Sequence, residues 1–249
     1  MNRPKPRIDG EALARRLAHV ADILEATQGV PELGSPDDPL DALIETILSQ
    51  STNNTNSGRA FENLKAAFPR WEDALDAGPE AIEETIRSGG LARQKSVRIH
   101  RLLAHLAGER RELSLANICT WSDERVFEWL GAFEGVGTKT IAVVLMFACR
   151  RDVCPVDTHV HRIVRRLGLV RENAGAEETF WTLLPATPPH RGGPLHLNLI
   201  RFGRTRCTAR APGCDGCPFR GECLYDPTTG EVRDRPAVET KRCPDAARG

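Results

Sequence analysis

No apolar stretch in the 249-residue sequence is longer than nine residues. The longest, Ile141 to Cys149, is far short of the roughly 20 that cross a bilayer, so no membrane-spanning helix and no membrane partner is expected. Net charge is missing as well: 34 Lys and Arg meet 34 Asp and Glu. A domain built to grip a polyanion usually carries a basic excess, so this balance taken alone argues against a nucleic-acid partner. Aromatic residues are only 5%, β-branched runs are short, and alternating apolar and polar positions never persist, which leaves little material for a sheet. There is no repeat at solenoid periods. The opening MNRPKPRIDG has neither an apolar core nor a small-residue cleavage site, so it does not resemble a secretory signal. A reducing cytoplasm is therefore the expected compartment, with association to the nucleoid if the source is bacterial. In such a compartment clustered cysteines hold metal more often than they form disulfides.

What remains reads as helix. Leu13, Leu17, Val20 and Leu24 keep one helical face behind a capping Asp9, and similar spacing recurs at Leu43, Ile44 and Ile47, at Phe61, Leu64 and Phe68, and at Val97, Leu102, Leu103 and Leu106. Further helices are expected at about 122–131, 138–149, 157–167, 176–184 and 194–203, punctuated by Gly89-Gly90, Gly135-Val136-Gly137 and Pro188-Pro189. Charge is unevenly spread along them. Residues 31–90 hold twelve acids and four bases, whereas residues 139–223 hold thirteen bases and seven acids. Helical surfaces fluctuate this much without purpose, so motifs must decide what the asymmetry means.

Three motifs carry chemistry. Cys207, Cys214, Cys217 and Cys223 lie within seventeen residues, in a loop that Pro212, Gly213 and Gly216 let turn its sulfurs inward. Four soft ligands suit Zn²⁺ or an iron–sulfur cluster, and spacing alone does not choose. Zinc ribbons usually show two C-x-x-C knuckles and only Cys214 and Cys217 form one here, which favours the cluster. Cys119, Cys149, Cys154 and Cys243 fall outside the pattern and read as buried or incidental thiols. The second motif is Gly135-Val136-Gly137-Thr138-Lys139, where a tight turn opens a helix whose first N–H groups lack partners and suit a phosphate. A lysine in that first turn opposes the helix dipole, which favours its neutral, nucleophilic amine. The third is Val156-Asp157-Thr158-His159, with Asp157 placed either to cap a helix or to act as a carboxylate near Lys139. His159 and His161 point to different helix faces and are not read as a metal pair.

These motifs, in this order, resemble the endonuclease III branch of the helix-hairpin-helix DNA glycosylases. With Ile47-Leu48-Ser49-Gln50 and Gly90-Leu91 the likeness runs from about residue 30 to 225. It implies an all-α, bilobal fold: a helical barrel lobe over 39–149 carrying the hairpin, a discontinuous iron–sulfur cluster lobe from 1–38 and 150–225, and a C-terminal tail over 226–249. It also implies a 4Fe-4S cluster on the four cysteines, Lys139 as the nucleophile at C1′, and Asp157 as its assisting carboxylate. Gln50 would fill the gap left by a flipped base and Leu91 would wedge beside it. The hairpin residues Gly135, Val136, Gly137 and Thr138, with Arg210 of the cysteine loop, would meet the backbone. The implied activity is a bifunctional glycosylase and AP lyase for oxidised pyrimidines such as thymine glycol, acting as a monomer on double-stranded DNA that holds a damaged base or abasic site. Mismatch-directed thymine or uracil removal and non-catalytic binding of damaged DNA are the alternatives. Monofunctional adenine-excising relatives lack the lysine and carry a long further domain.

The sequence departs from the family at three places. Glu134 replaces the usual Pro before the hairpin glycine and puts a negative charge near the expected phosphate site. Asn53 or Asn54 stands where an acid is common, and the loop from Thr208 to Gly213 has a single base, Arg210. These changes touch the expected substrate range and affinity more than the chemistry.

Overall fold

The computed structural model describes residues 9–34, 38–109 and 113–233. Among them, ten α-helices and single 3-10 turns at Arg87–Gly89, Ala116–Thr120 and Leu184–Ala186 make up the regular structure, and strand pairing is limited to one bridge between Tyr225 and Val232. The helices are α1 Gly10–Gln28, α2 Pro39–Ser49, α3 Asn54–Ala67, α4 Trp71–Thr85, α5 Ala92–Glu109, α6 Asp123–Gly131, α7 Thr138–Phe147, α8 Thr158–Arg166, α9 Ala176–Leu183 and α10 Gly192–Thr205. The all-α expectation holds. Asp9 caps α1 through its carboxylate, and Leu13, Leu17, Val20 and Leu24 are buried on one face of it. Each such leucine removed from water contributes about 1.5–3 kcal/mol.

Helix α4 has no counterpart among the expected elements. It breaks at Gly78, where φ is +84°, and Pro79 starts its second half. That interruption leaves Trp71, Ala74 and Ile82 as its buried positions, too sparse for a clear period. Helix α1 lies on the C-terminal elements. Arg16 donates to the carbonyls of Leu167 and Gly168, Asn198 of α10 donates to Gly29, and Arg191 pairs with Asp22 and Glu25. These long-range bonds bring the first helix of the chain against the elements that follow residue 150.

Two cysteines expected as incidental thiols are joined instead. Cys119, in the turn Ala116–Thr120, forms a disulfide with Cys149 just beyond α7, across 30 residues and with Cα atoms 5.0 Å apart. Their separation along the chain carries no sign of this; the packing of the turn against the end of α7 creates it. Closing a loop of that length stabilises by about 3.6 kcal/mol through chain entropy. A Cys119→Ala/Cys149→Ala double variant should therefore lose roughly 2–4 kcal/mol in denaturant unfolding, and an unchanged midpoint would contradict this. Cys154 is buried and free, as expected, with its thiol pKa pushed up by burial. The expected tail begins with ordered backbone: Arg233 N–H donates to Leu224, Asp226 N–H to Glu231, and Gly230 N–H to Asp226. Its remainder, 234–249, and Cys243 with it, lies outside the described residues.

Candidate active-site cleft

A cleft of about 610 Å³ opens between α2, α3 and α7 on one side and the start of α8 with α10 on the other. Lys139 and Asp157 both line it. The hairpin that delivers Lys139 depends on Gly135, whose φ of +82° reverses the chain, while Val136 is buried beneath it. Gly137 caps α7 without a side-chain bond, so the N–H groups of the first turn are left for an outside acceptor. Lys139 sits in that turn. Burial lowers the pKa of its amine, and the nearby Asp157 carboxylate opposes the shift.

Asp157 fulfils the capping expectation. Its Oδ1 accepts from the N–H groups of His159 and Val160, both at 2.8 Å, which locks the carboxylate at the head of α8. Capping occupies one oxygen and leaves the other available to the cleft. Two glycines allow α10 to approach this segment. A Cβ on Gly192 would stand 2.7 Å from the Val153 backbone, and one on Gly203 would stand 2.8 Å from His159 Cβ.

Gln50 and Leu91 lie on neighbouring loops. Gln50 follows α2 and donates from Nε2 to the Gly135 carbonyl at 2.8 Å, which ties it to the hairpin. Leu91 is 52% exposed and has φ of +51° directly after Gly90. A fully buried lysine that sequence reasoning passed over connects the two loops. Lys95 donates to the carbonyls of Leu48, at the end of α2, and Gly89, just before Leu91, at 2.7 and 2.8 Å.

The charge introduced by Glu134 is taken up locally. Arg101 holds its carboxylate at 2.9 Å and Arg98 approaches at 3.7 Å, both from α5. The same Arg98 lies 2.9 Å from where a Gly135 Cβ would be. Gly135→Ala thus meets both a left-handed backbone, worth roughly 1–2 kcal/mol, and a side chain that must move. Duplex affinity should fall about tenfold, measured as Kd on an abasic-analogue duplex, and an unchanged Kd would show the hairpin to be dispensable for binding. Of the two asparagines at the departure, Asn53 is spent on capping α3 through the Asn56 N–H, and Asn54 is the one that lines the cleft.

The cysteine loop is fastened to the helix that Asp157 caps. Arg162 donates to the carbonyls of Gly203 and Cys207, and buried Arg166 donates to Thr208, Ala209 and the Cys207 sulfur while lying over the Tyr225 ring. Cys207, Cys214, Cys217 and Cys223 are all free thiols around one small cavity. No three potential ligands among the described residues are close enough to share a single metal ion. Arg210 is exposed on this loop, away from the cleft.

Sequence reasoning also passed over Glu45, His196 and Arg204, which line the cleft. Glu45 is the lone charge in the last two turns of the apolar helix α2, and His196 breaks the apolar spacing of α10; each mismatch was a signal. A family model described as HhH-GPD superfamily base excision DNA repair protein matches residues 44–188, a span that contains the hairpin, Lys139 and Asp157. The chain belongs to that superfamily. An Arabidopsis thaliana protein provisionally named a DNA glycosylase is 39% identical over 196 residues, 75% of this chain and 66% of the relative. Endonuclease III of Thermotoga maritima is 33% identical over 216 residues, 85% of this chain and 95% of that one. A trapped covalent intermediate of an endonuclease III with DNA superposes with a TM-score of 0.71 at 27% identity, covering 84% of this chain and 95% of the other. This HhH-GPD chain is thus a base excision repair DNA glycosylase with the bilobal endonuclease III fold, and DNA is its partner.

Proposed function

We propose that the protein is a bifunctional glycosylase and AP lyase that removes oxidised pyrimidines, such as thymine glycol, from duplex DNA. The observation that carries this is the placement of Lys139, desolvated in the first turn of α7, in one cleft with a carboxylate fixed by its own helix cap. C1′ is unreachable in a stacked duplex, so the nucleotide must be flipped into the cleft. The neutral Lys139 amine then attacks C1′, the glycosidic bond breaks, and the base leaves with the bonding electrons. Asp157 takes the proton released from the amine. Sugar-ring opening gives a Schiff base between Lys139 and C1′. Loss of a C2′ proton then expels the 3′ phosphate by β-elimination.

In this reading Gln50 releases the Gly135 carbonyl to enter the gap in the duplex, and Leu91 wedges beside it. The N–H groups of the hairpin, around Gly135, Val136, Gly137 and Thr138, hold one phosphate, and Arg210 contacts another. The four cysteines fit a 4Fe-4S cluster: four free thiols around one cavity, without the tight convergence a single ion needs, match that donor set. A cluster bound there supplies a cross-link that holds the loop, and Arg162 and Arg166 pass its position on to α8. The protein acts as a monomer in the cytoplasm. Single-turnover excision from duplexes carrying thymine glycol or a G·T mismatch tests the substrate assignment. Excision should be at least about tenfold faster from the oxidised base, and equal rates or a preference for the mismatch would refute it.

A further inference from the structure

Lys95 lies in the first turn of α5, is 1% exposed, and takes no part in the chemistry above. Its ammonium donates to the carbonyl oxygens of Leu48 at 2.7 Å and Gly89 at 2.8 Å. Both acceptors are neutral dipoles, so the buried charge carries a desolvation penalty that a methionine filling the same space would avoid. What the charge adds is the pair of bonds. Leu48 stands two residues before Gln50, and Gly89 two residues before Leu91. Among the described residues, these are the hydrogen bonds that join the end of α2 to the turn over 89–91. The Lys95 backbone N–H holds that turn again, through the Leu91 carbonyl at 3.0 Å. Just past each anchor the chain is left-handed, with φ of +55° at Ser51, +66° at Gly90 and +51° at Leu91. Ser51 and Leu91 carry side chains, for which this conformation is strained and persists only where the surroundings impose it.

We infer that Lys95 is a positioning residue for base flipping: it pins both strained loops through their backbones and so sets Gln50 and Leu91 at a fixed spacing before DNA arrives. The inference rests on the reading of those two residues as the groups that enter the duplex. A flipped nucleotide leaves a gap that both must fill, and ordering two independent loops at that moment would oppose flipping. With both backbones on one ammonium, that ordering is complete in the free protein and only side chains have to move. Gln50 shows the division. Its Nε2 lies on the Gly135 carbonyl, a bond the side chain can exchange, while the Leu48 carbonyl behind it stays on Lys95. The turn over 89–91 is seated from the other side as well, since a Cβ on Gly89 would stand 3.1 Å from Ala60 Cβ of α3. Lys95 does not line the cleft that holds Lys139 and Asp157, so it acts through the loops and not on the sugar.

The test is a double-mutant cycle on the full-length protein, read as single-turnover excision from a duplex with one thymine glycol. Lys95→Met keeps the length of the side chain and removes its donors, and it should slow excision at least about tenfold through lost placement of the loops. In a Gln50→Ala/Leu91→Ala background the same substitution should cost less than about twofold, because the residues it positions are already gone. A merely structural role predicts an equal factor in both backgrounds. That result, or an unaltered rate in Lys95→Met alone, overturns the inference, whereas a wild-type rate in Gln50→Ala/Leu91→Ala overturns the insertion reading and the inference with it. A second readout needs no chemistry and so decides even where thymine glycol is not the substrate. With 2-aminopurine opposite an uncleavable abasic analogue, its fluorescence rise at saturating protein should be less than about half as large for Lys95→Met as for wild type, and an equal rise overturns the inference. Should the methionine variant not fold, ¹⁵N spectra of the wild-type Lys95 ammonium decide. Slow exchange with water both in the free protein and on the abasic-analogue duplex supports the inference, and fast exchange in either state overturns it.

Discussion

Lys139→Ala is expected to abolish the borohydride-trapped adduct and to lower strand cleavage at abasic sites by at least about 10³-fold, the scale on which loss of a covalent nucleophile acts. The structure explains why so large an effect should be confined to chemistry. Lys139 is half-buried at the cleft wall, and burial is the leading cause of its lowered pKa, so its charged form is the one the folded protein disfavours. Removing it takes away no buried partner and should leave folding and duplex affinity close to wild type. The lowered pKa also fixes a sign. The free amine is present at lower pH than for an ordinary lysine, so adduct formation should rise along a limb that lies below the usual lysine range. A limb at the ordinary lysine pKa would show that the cleft does not desolvate the amine.

The second large effect is expected for Asp157→Asn, and it separates two roles that one side chain performs. As a cap, Asp157 accepts from His159 and Val160 N–H groups, and asparagine caps as well as aspartate, so the fold should survive. As a charge, it takes the proton from the attacking amine, and its loss should slow base excision about 10²–10⁴-fold. The limb for adduct formation should shift further down in pH, because the carboxylate that opposed the burial effect is gone. Asp157→Ala should show the same kinetic loss and in addition a stability loss of about 1 kcal/mol from the missing cap. Rates unaffected in Asp157→Asn, with stability lost only in Asp157→Ala, would reduce the residue to a cap.

Much of this site is written in local sequence. The glycines at 135 and 137, the lysine two residues on, and a capping aspartate before α8 are short-range signals, and the structure places α7 and α8 where they point. The same holds for α1, whose cap and apolar spacing lie within one helix. What sequence reading passed over depends on residues far apart in the chain. Glu134 looks disruptive beside the hairpin until Arg98 and Arg101 arrive from α5, more than thirty positions away. Cys119 and Cys149 pair only because the turn Ala116–Thr120 packs on the end of α7. Lys95 reads as an ordinary helical lysine, yet it is buried and ties the Gln50 loop to the Leu91 loop. His196 is buried with its ring against the carbonyl of Pro155, 41 residues away. Tertiary neighbours decide charge, protonation and exposure, and none of these is carried by a residue's own segment.

The neutral overall charge follows the same lesson. The base-rich stretch holds Lys139, Arg204 and the cysteine loop, whereas the acid-rich stretch includes helices α2 to α4, with Glu45 its one acid lining the cleft. A chain without net charge is therefore compatible with a DNA partner.

The most direct test of the central claim is to map the borohydride-trapped adduct formed by the wild-type protein on a duplex holding a single thymine glycol, by peptide mass analysis. A sugar remnant attached to Lys139 Nζ is the predicted result. An adduct on any other residue, or base release with no adduct at all, would contradict the account.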